Sequence, residues 1–179
     1  MFYISERYTT PPGSFITPLQ RESYLCLERL GIPYERVDTD EAITMEDCVL
    51  INEALQMKMV KTLFLCDRQK TSFYLFVTTG DKPFSAADFS KATGVSRLSF
   101  APAELFEEML GVKVGAATIF SAITDAERKL KIVIDKAVAN EEYYGCSDGT
   151  TTCYMKMKTT DVINKLLPEL KHRPKIINV

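Results

Sequence analysis

Lys61 is the first residue whose surroundings point to chemistry. In Val60-Lys61-Thr62-Leu63-Phe64-Leu65-Cys66 it shares one face of an extended segment with Leu63 and Leu65, while Val60, Thr62, Phe64 and Cys66 share the other. Both faces are mostly apolar, so the segment reads as a central strand. A buried ammonium without a partner is costly, so Lys61 must reach a carboxylate, the sheet edge or a cleft. The plainer reading of the same pattern is a lysine that snorkels at a strand end. A second candidate is Gly111-Val112-Lys113-Val114-Gly115-Ala116-Ala117-Thr118, where two glycines and small residues can bring backbone N–H groups up to an anionic or carbonyl oxygen. Gly111 also reads as a plain helix C-cap. A third is the polar turn Tyr144 to Thr152, for which a hairpin turn at Asp148-Gly149 is a sufficient explanation. Beyond it, Cys153, Met155 and Met157 alternate with Tyr154, Lys156 and Lys158. The second face is a solvated strand surface or an RNA platform. Asp125, Glu127 and Asp135 have no spacing that singles out an acid/base pair.

Several chemistries are excluded at once. The single histidine, His172, lies in a basic stretch, which leaves a serine or cysteine nucleophile without a good general base. The five cysteines are odd in number and contain no CxxC pair, so they form neither a zinc pattern nor a secreted disulfide framework, and no metal ligation is expected. A reduced, cytoplasmic setting fits best. No GxGxxG or GxxxxGK[ST] occurs. Lys plus Arg number 22 against 24 Asp plus Glu, a net charge of −2, whereas proteins that cover long duplex DNA are usually basic. No run approaches the ~18 apolar residues of a membrane helix, and the N-terminus lacks the basic-then-apolar design of a signal peptide.

The elements that must position these residues follow from periodicity. Residues 1–18 read as an irregular arm, 19–167 as one domain and 168–179 as a basic, loosely held tail. Helices are predicted from Leu19 to a stop at Gly31, from a Thr44/Asp47 capping box through Leu55, over Ser85 to Ala92, from Pro102 to Gly111, and from a Thr160 cap towards Pro168. Strands are predicted over residues 33–38, 60–67, 72–79, 96–100, 118–123, 130–135, 142–146 and 150–158. Strands outnumber helices without regular alternation, which predicts an α+β fold with a mixed sheet and peripheral helices.

The order and wording of five segments resemble a known family. Leu30-Gly31-Ile32-Pro33-Tyr34-Glu35-Arg36-Val37-Asp38, Val60 to Leu65, Arg97-Leu98-Ser99-Phe100-Ala101, Leu110 to Gly115 and Val133-Ile134-Asp135 resemble the YbaK/ProX superfamily of aminoacyl-tRNA editing domains. The likeness is greatest to the free-standing ProX (PrdX-type) prolyl-tRNA editing branch, to which Asp67 to Thr71 and Gly80 to Phe84 add. It runs from about Leu19 to Leu167. The resemblance implies an α/β (α+β) fold with a mixed, barrel-like β-sheet and flanking helices, no cofactor, and a shallow pocket for the acceptor end of a mischarged tRNA. It implies a trans-acting deacylase that hydrolyses the ester of alanine on tRNA for proline, with prolyl-tRNA synthetase as a further partner and no DNA or membrane. Lys61, Gly115 and Ala116 would be catalytic; Gly111, Thr62, Ser147, Thr151, Lys113, Lys156 and Lys158 would contact substrate. Ser147-Asp148 stands where the family often has histidine-proline, Thr151 in place of an asparagine, Val114 and Ile119 in place of prolines, and Thr39 in place of a histidine. A tRNA- or synthetase-binding member with weakened or no catalysis is the alternative.

Overall fold

The computed structural model describes residues 1–42 and 44–179. Helix α1 (Pro18–Leu30) starts where Thr17 accepts from the Gln20 amide and Pro18 fills the first turn, where its missing N–H is not needed. It stops at Gly31, whose left-handed φ of 63° lets its N–H return to Glu28. After strand β1 (Glu35–Asp38), helix α2 (Met45–Leu55) opens on the Thr44/Asp47 capping box expected from the sequence. Strands β2 (Val60–Cys66) and β3 (Phe73–Thr79) form an antiparallel hairpin, followed by α3 (Ala86–Thr93) and the two-residue β4 (Ser99–Phe100). Strand β5 (Leu130–Asp135), the short α4 (Lys136–Ala139), β6 (Tyr143–Ser147) and β7 (Cys153–Lys158) complete the middle of the chain.

Two sheets result, with orders β1-β7-β6 and β4-β2-β3-β5 plus one further edge strand. The larger sheet is mixed, because β3 pairs antiparallel with β2 and parallel with β5. The expected barrel-like sheet is therefore two open sheets, linked among the described residues by one parallel bridge between Met59 and Gly145. Alternation along the strands distributes three cores. Phe64, Leu75, Val77, Ile132, Ile134, Tyr144, Met155 and Met157 meet α1 in the main core. Leu65, Tyr74, Phe76 and Val133 pack on Phe89 of α3, and Val37 and Tyr154 pack on Ile51 and Leu55 of α2. Both faces of both sheets are thus covered.

Four local expectations change. Residues 118–123 were expected as a strand, yet Ile119–Thr124 is a 3-10 helix, started by Thr118, whose hydroxyl and carbonyl accept from the Phe120 and Ser121 amides. A short, continuous apolar run does not distinguish the two by periodicity. The helix from Pro102 has its regular part at Phe106–Leu110, wound as a π-helix. The last helix begins one residue before the expected Thr160 cap, as α5 (Thr159–Asp161), a π turn Val162–Leu166 and α6 (Leu167–Glu169), so Pro168 lies inside it. The wide turn absorbs the donor that proline lacks. The tail is not loose: β8 (Lys175–Ile177) pairs parallel with β5 at the sheet edge, and His172 and Ile177 are buried. The N-terminal arm is pinned as well, through bridges from Ile4 to Thr39 and from Tyr8 to Arg36.

Candidate functional site

A cleft of ≈ 870 Å³ opens where, among the described residues, the first half of β2 has no strand neighbour on its outer edge, since β4 pairs only with Leu65 and Cys66. Lys61 and Thr62 lie on that free half and line the cleft. Gly115, Ala117, Cys146 and Ser147 line it from the glycine loop and the end of β6, Lys82 and Asp81 from the loop after β3, and Met45, Cys48, Val49 and Asn52 from α2. Asn52 ties α2 to β2 by accepting from the Met59 amide at 2.8 Å.

The charges in the cleft differ in how they are matched. Lys58 pairs with Glu141 at 3.3 Å, and Lys82 pairs with the fully buried Asp135 at 2.9 Å. Burial alone would raise the Asp135 carboxyl, but Lys82, the Ala137 amide and the Thr78 hydroxyl outweigh it and hold the group below its usual range. Lys61 has no carboxylate partner among the described residues; its half-buried ammonium donates only to the backbone carbonyl of Lys82. It is therefore held on the cleft wall as an accessible, unneutralised cation.

The two cysteines that line the cleft are not poised as nucleophiles. Burial, helped by Asp148 and opposed by Thr118, pushes the Cys146 thiol well above its usual range, and burial, with Asp47, raises Cys48. Both stay protonated at neutral pH. His172 lies outside the cleft, and among the described residues no cluster of His, Cys, Asp and Glu is arranged to hold a metal ion. Tyr144 is fully buried next to Thr62; its hydroxyl makes no hydrogen bond among the described residues, and burial keeps its phenol protonated.

The structure brings only part of the expected set together. Lys61, Thr62, Gly115 and Ser147 meet in the cleft, whereas Gly111, Lys113, Ala116, Thr151, Lys156 and Lys158 do not line it. Gly111 is the left-handed cap of the π-helix, with φ 68°. Ala116 is buried and its amide already donates to Lys113 at 3.0 Å, so its N–H is not available to an oxyanion. Among the described residues the amides of Gly115 and Ala117 have no intramolecular acceptor, and both residues line the cleft. Thr151 donates to Glu41 on another side. Lys156 is not on a solvated face: it is buried, 4.4 Å from the Tyr143 ring and 3.8 Å from Glu35. Lys113 and Lys158 are exposed.

Three features escaped sequence reasoning. Lys82 and Asp135 are far apart in sequence and carry no spacing signal. Phe100, 60% exposed, sits at the cleft with its ring 5.5 Å from Phe84; it reads as an ordinary strand residue in the sequence. The wall formed by α2 did leave a trace, since Met45 and Val49 are an i, i+4 apolar pair off the Ile51/Leu55 stripe, and both are exposed.

The model of the aminoacyl-tRNA editing domain family matches residues 39–165, and the chain belongs to that family. Over 170 residues it is 26% identical to the zebrafish (Danio rerio) "Prolyl-tRNA synthetase associated domain-containing protein 1", covering 93% of this chain and 91% of that one. It is 28% identical over 110 residues to the "Prolyl-tRNA editing protein ProX" of Acetoanaerobium sticklandii, covering 62% of this chain and 67% of that one. A crystal structure described provisionally as a trans-editing enzyme for prolyl tRNA synthetase shares the fold, with a TM-score of 0.63 at 16% identity over 92% of this chain and 99% of that one. The crystal structure of a hypothetical protein does so at a TM-score of 0.67 and 15% identity, over 88% of this chain and 98% of that one.

Proposed function

We propose that the cleft hydrolyses the ester that joins a small, wrongly attached amino acid to the 3′ end of tRNA for proline, with alanine as the principal target. The observation that carries this reading is Lys61, a cation with no carboxylate partner among the described residues, in a cleft that is also lined by Gly115 and Ala117, whose amides have no intramolecular acceptor among those residues. The volume of ≈ 870 Å³ suits a terminal aminoacyl-adenosine rather than an amino acid alone. The exposed Phe100 ring offers a stacking surface for the terminal base.

In this reading Lys61 draws in the ester and polarises its carbonyl. Water attacks that carbon, and the Gly115 and Ala117 amides take up the charge that develops on oxygen. The ester C–O bond then breaks, and the proton lost by water goes to the ribose oxygen. By resemblance to the family, the neighbouring ribose hydroxyl positions the water, which accounts for a cleft without histidine. Proline would be refused by shape, and since one small volume difference is worth about 1–3 kcal/mol, a separate editing site is the expected remedy for mischarging. The reaction belongs in the cytoplasm, beside prolyl-tRNA synthetase.

A binding module without turnover is the second reading, favoured by Ser147-Asp148: Ser147 lines the cleft where the family often has a basic ring, and Asp148 points inward. Single-turnover deacylation of tRNA for proline charged with alanine, cysteine or proline separates the two. The first reading expects rapid loss of alanine and slow loss of proline. Tight tRNA binding with no deacylation of any species would establish the second.

A further inference from the structure

The end of the larger sheet away from the cleft carries a different arrangement of charge. Arg128, Lys131, Lys171, Arg173 and Lys175 surround a hollow of ≈ 400 Å³ formed by the start of β5, the loop after α6 and the start of β8. All five are exposed, and among the described residues none forms an ion pair. The acid that borders them is turned away: Asp125 has a side chain 6% exposed, accepts from the Lys129 and Leu130 amides, and lies 3.3 Å from His172. Glu127 is occupied by Lys129 at 2.9 Å. In a chain of net charge −2, five unmatched cations around one hollow make a concentrated positive surface.

The cluster is also held in place. The Lys131 ammonium lies 5.4 Å from the centre of the Tyr74 ring, and Lys175 donates to the Thr93 carbonyl at 3.4 Å. Tyr74 pairs with Lys131, and Thr78, four residues further along β3, pairs with Lys61. Four residues of strand span about 13 Å. The cluster and the cleft thus occupy opposite ends of the same strands.

We infer that this cluster is a docking surface for the phosphodiester backbone of RNA, gripping the body of the tRNA while its 3′ end lies in the cleft. The inference rests on the tRNA substrate proposed above. Density of unmatched cations favours phosphate over a protein partner, since a protein interface carries an apolar, charge-depleted centre. It also stands in for Lys156, which was expected to meet tRNA but is buried against Glu35 and Tyr143.

The test is fluorescence anisotropy of labelled, uncharged full-length tRNA, titrated at several KCl concentrations with the unaltered protein and with the Lys131→Ala/Lys171→Ala/Arg173→Ala variant. The variant should bind on the order of tenfold more weakly, with a log affinity against log salt slope shallower by about 3. Single Lys171→Ala and Arg173→Ala variants, each shallower by about 1, keep the test valid should the triple variant unfold. Lys131→Arg/Lys171→Arg/Arg173→Lys, which preserves charge, should bind like the unaltered protein. An unchanged slope in folded neutralised variants overturns the inference, as does loss of binding to prolyl-tRNA synthetase alone. Because uncharged tRNA is the probe, absence of deacylation would defeat the catalytic reading and leave this result standing.

Discussion

Asp148 and Lys61 show two opposite uses of a charge. Asp148 is fully buried, and its carboxylate accepts from Gln20 Nε2 at 2.9 Å, Tyr24 OH at 2.7 Å, and the Thr150 amide and hydroxyl at 3.2 and 2.7 Å. Burial first, then Asp148 and Cys153, raises the Tyr24 phenol and keeps it a donor. These bonds fasten α1 to the β6–β7 turn, so the carboxylate is architecture rather than reagent. Lys61 is half-buried, has a single backbone acceptor and faces open space. A saturated buried charge fixes the frame, whereas an under-partnered one at a cleft is left for a ligand.

Removing the saturated charge should have the largest effect on stability. Asp148→Ala strands the donors on Gln20, Tyr24 and Thr150 and should lower unfolding free energy by roughly 3–5 kcal/mol in urea titration. A loss under about 1 kcal/mol would mean that the network is incidental. Gly115→Val tests the frame of the cleft itself. A Cβ there meets no atom within 4 Å, but φ is 95°, so the effect comes from the dihedral: about a hundredfold slower deacylation and ~1–2 kcal/mol of stability. Normal turnover would reduce the loop to a connector. Phe100→Ala should weaken binding of an acceptor-end oligonucleotide about tenfold, the worth of one stacked base, with little change in thermal stability. Equal affinity would remove Phe100 from the site.

The smallest expected effect is on pH dependence. Burial, reinforced by Arg128 and opposed by Asp125, lowers the His172 pKa below its usual 6.5. The unfolded chain therefore takes up the proton first, so stability is present above about pH 6.5 and lost as pH falls below it. Asp135, held below its usual 3.8, acts in the same sense at lower pH. In urea midpoints compared near neutrality and near pH 5, His172→Gln should flatten the decline. An unchanged decline would assign it to other groups.

Legibility in the sequence followed the range of the interaction. Caps and strand alternation are local, so the Thr44/Asp47 box, the Gly31 stop and the two faces of β2 could be read directly. The likeness to editing domains likewise rested on short segments in order. Long-range packing could not be read: Tyr154 and Lys156 look solvent-facing until α2 and Glu35 cover them. Asp148-Gly149 looks like a turn in isolation, because the donors that explain Asp148 come from α1, more than a hundred residues away. The cluster around Lys171 was visible only as a basic tail, since its partners Arg128 and Lys131 arrive through β5–β8 pairing. Within the glycine loop, the sequence named Gly115 and Ala116 together, and composition does not reveal that the Ala116 amide closes a turn onto Lys113 while the Gly115 amide does not.

The most direct test of the account is single-turnover deacylation of alanyl-tRNA for proline by Lys61→Ala, run beside a urea titration and a binding measurement with uncharged tRNA. Among the described residues Lys61 has no carboxylate partner, so under the proposed reading its loss should cost the reaction far more than the packing. The account predicts a rate lower by about a hundredfold or more, an unfolding free energy within about 1 kcal/mol of the unaltered protein, and a tRNA salt slope that does not change. A folded Lys61→Ala protein that deacylates at the unaltered rate would contradict it.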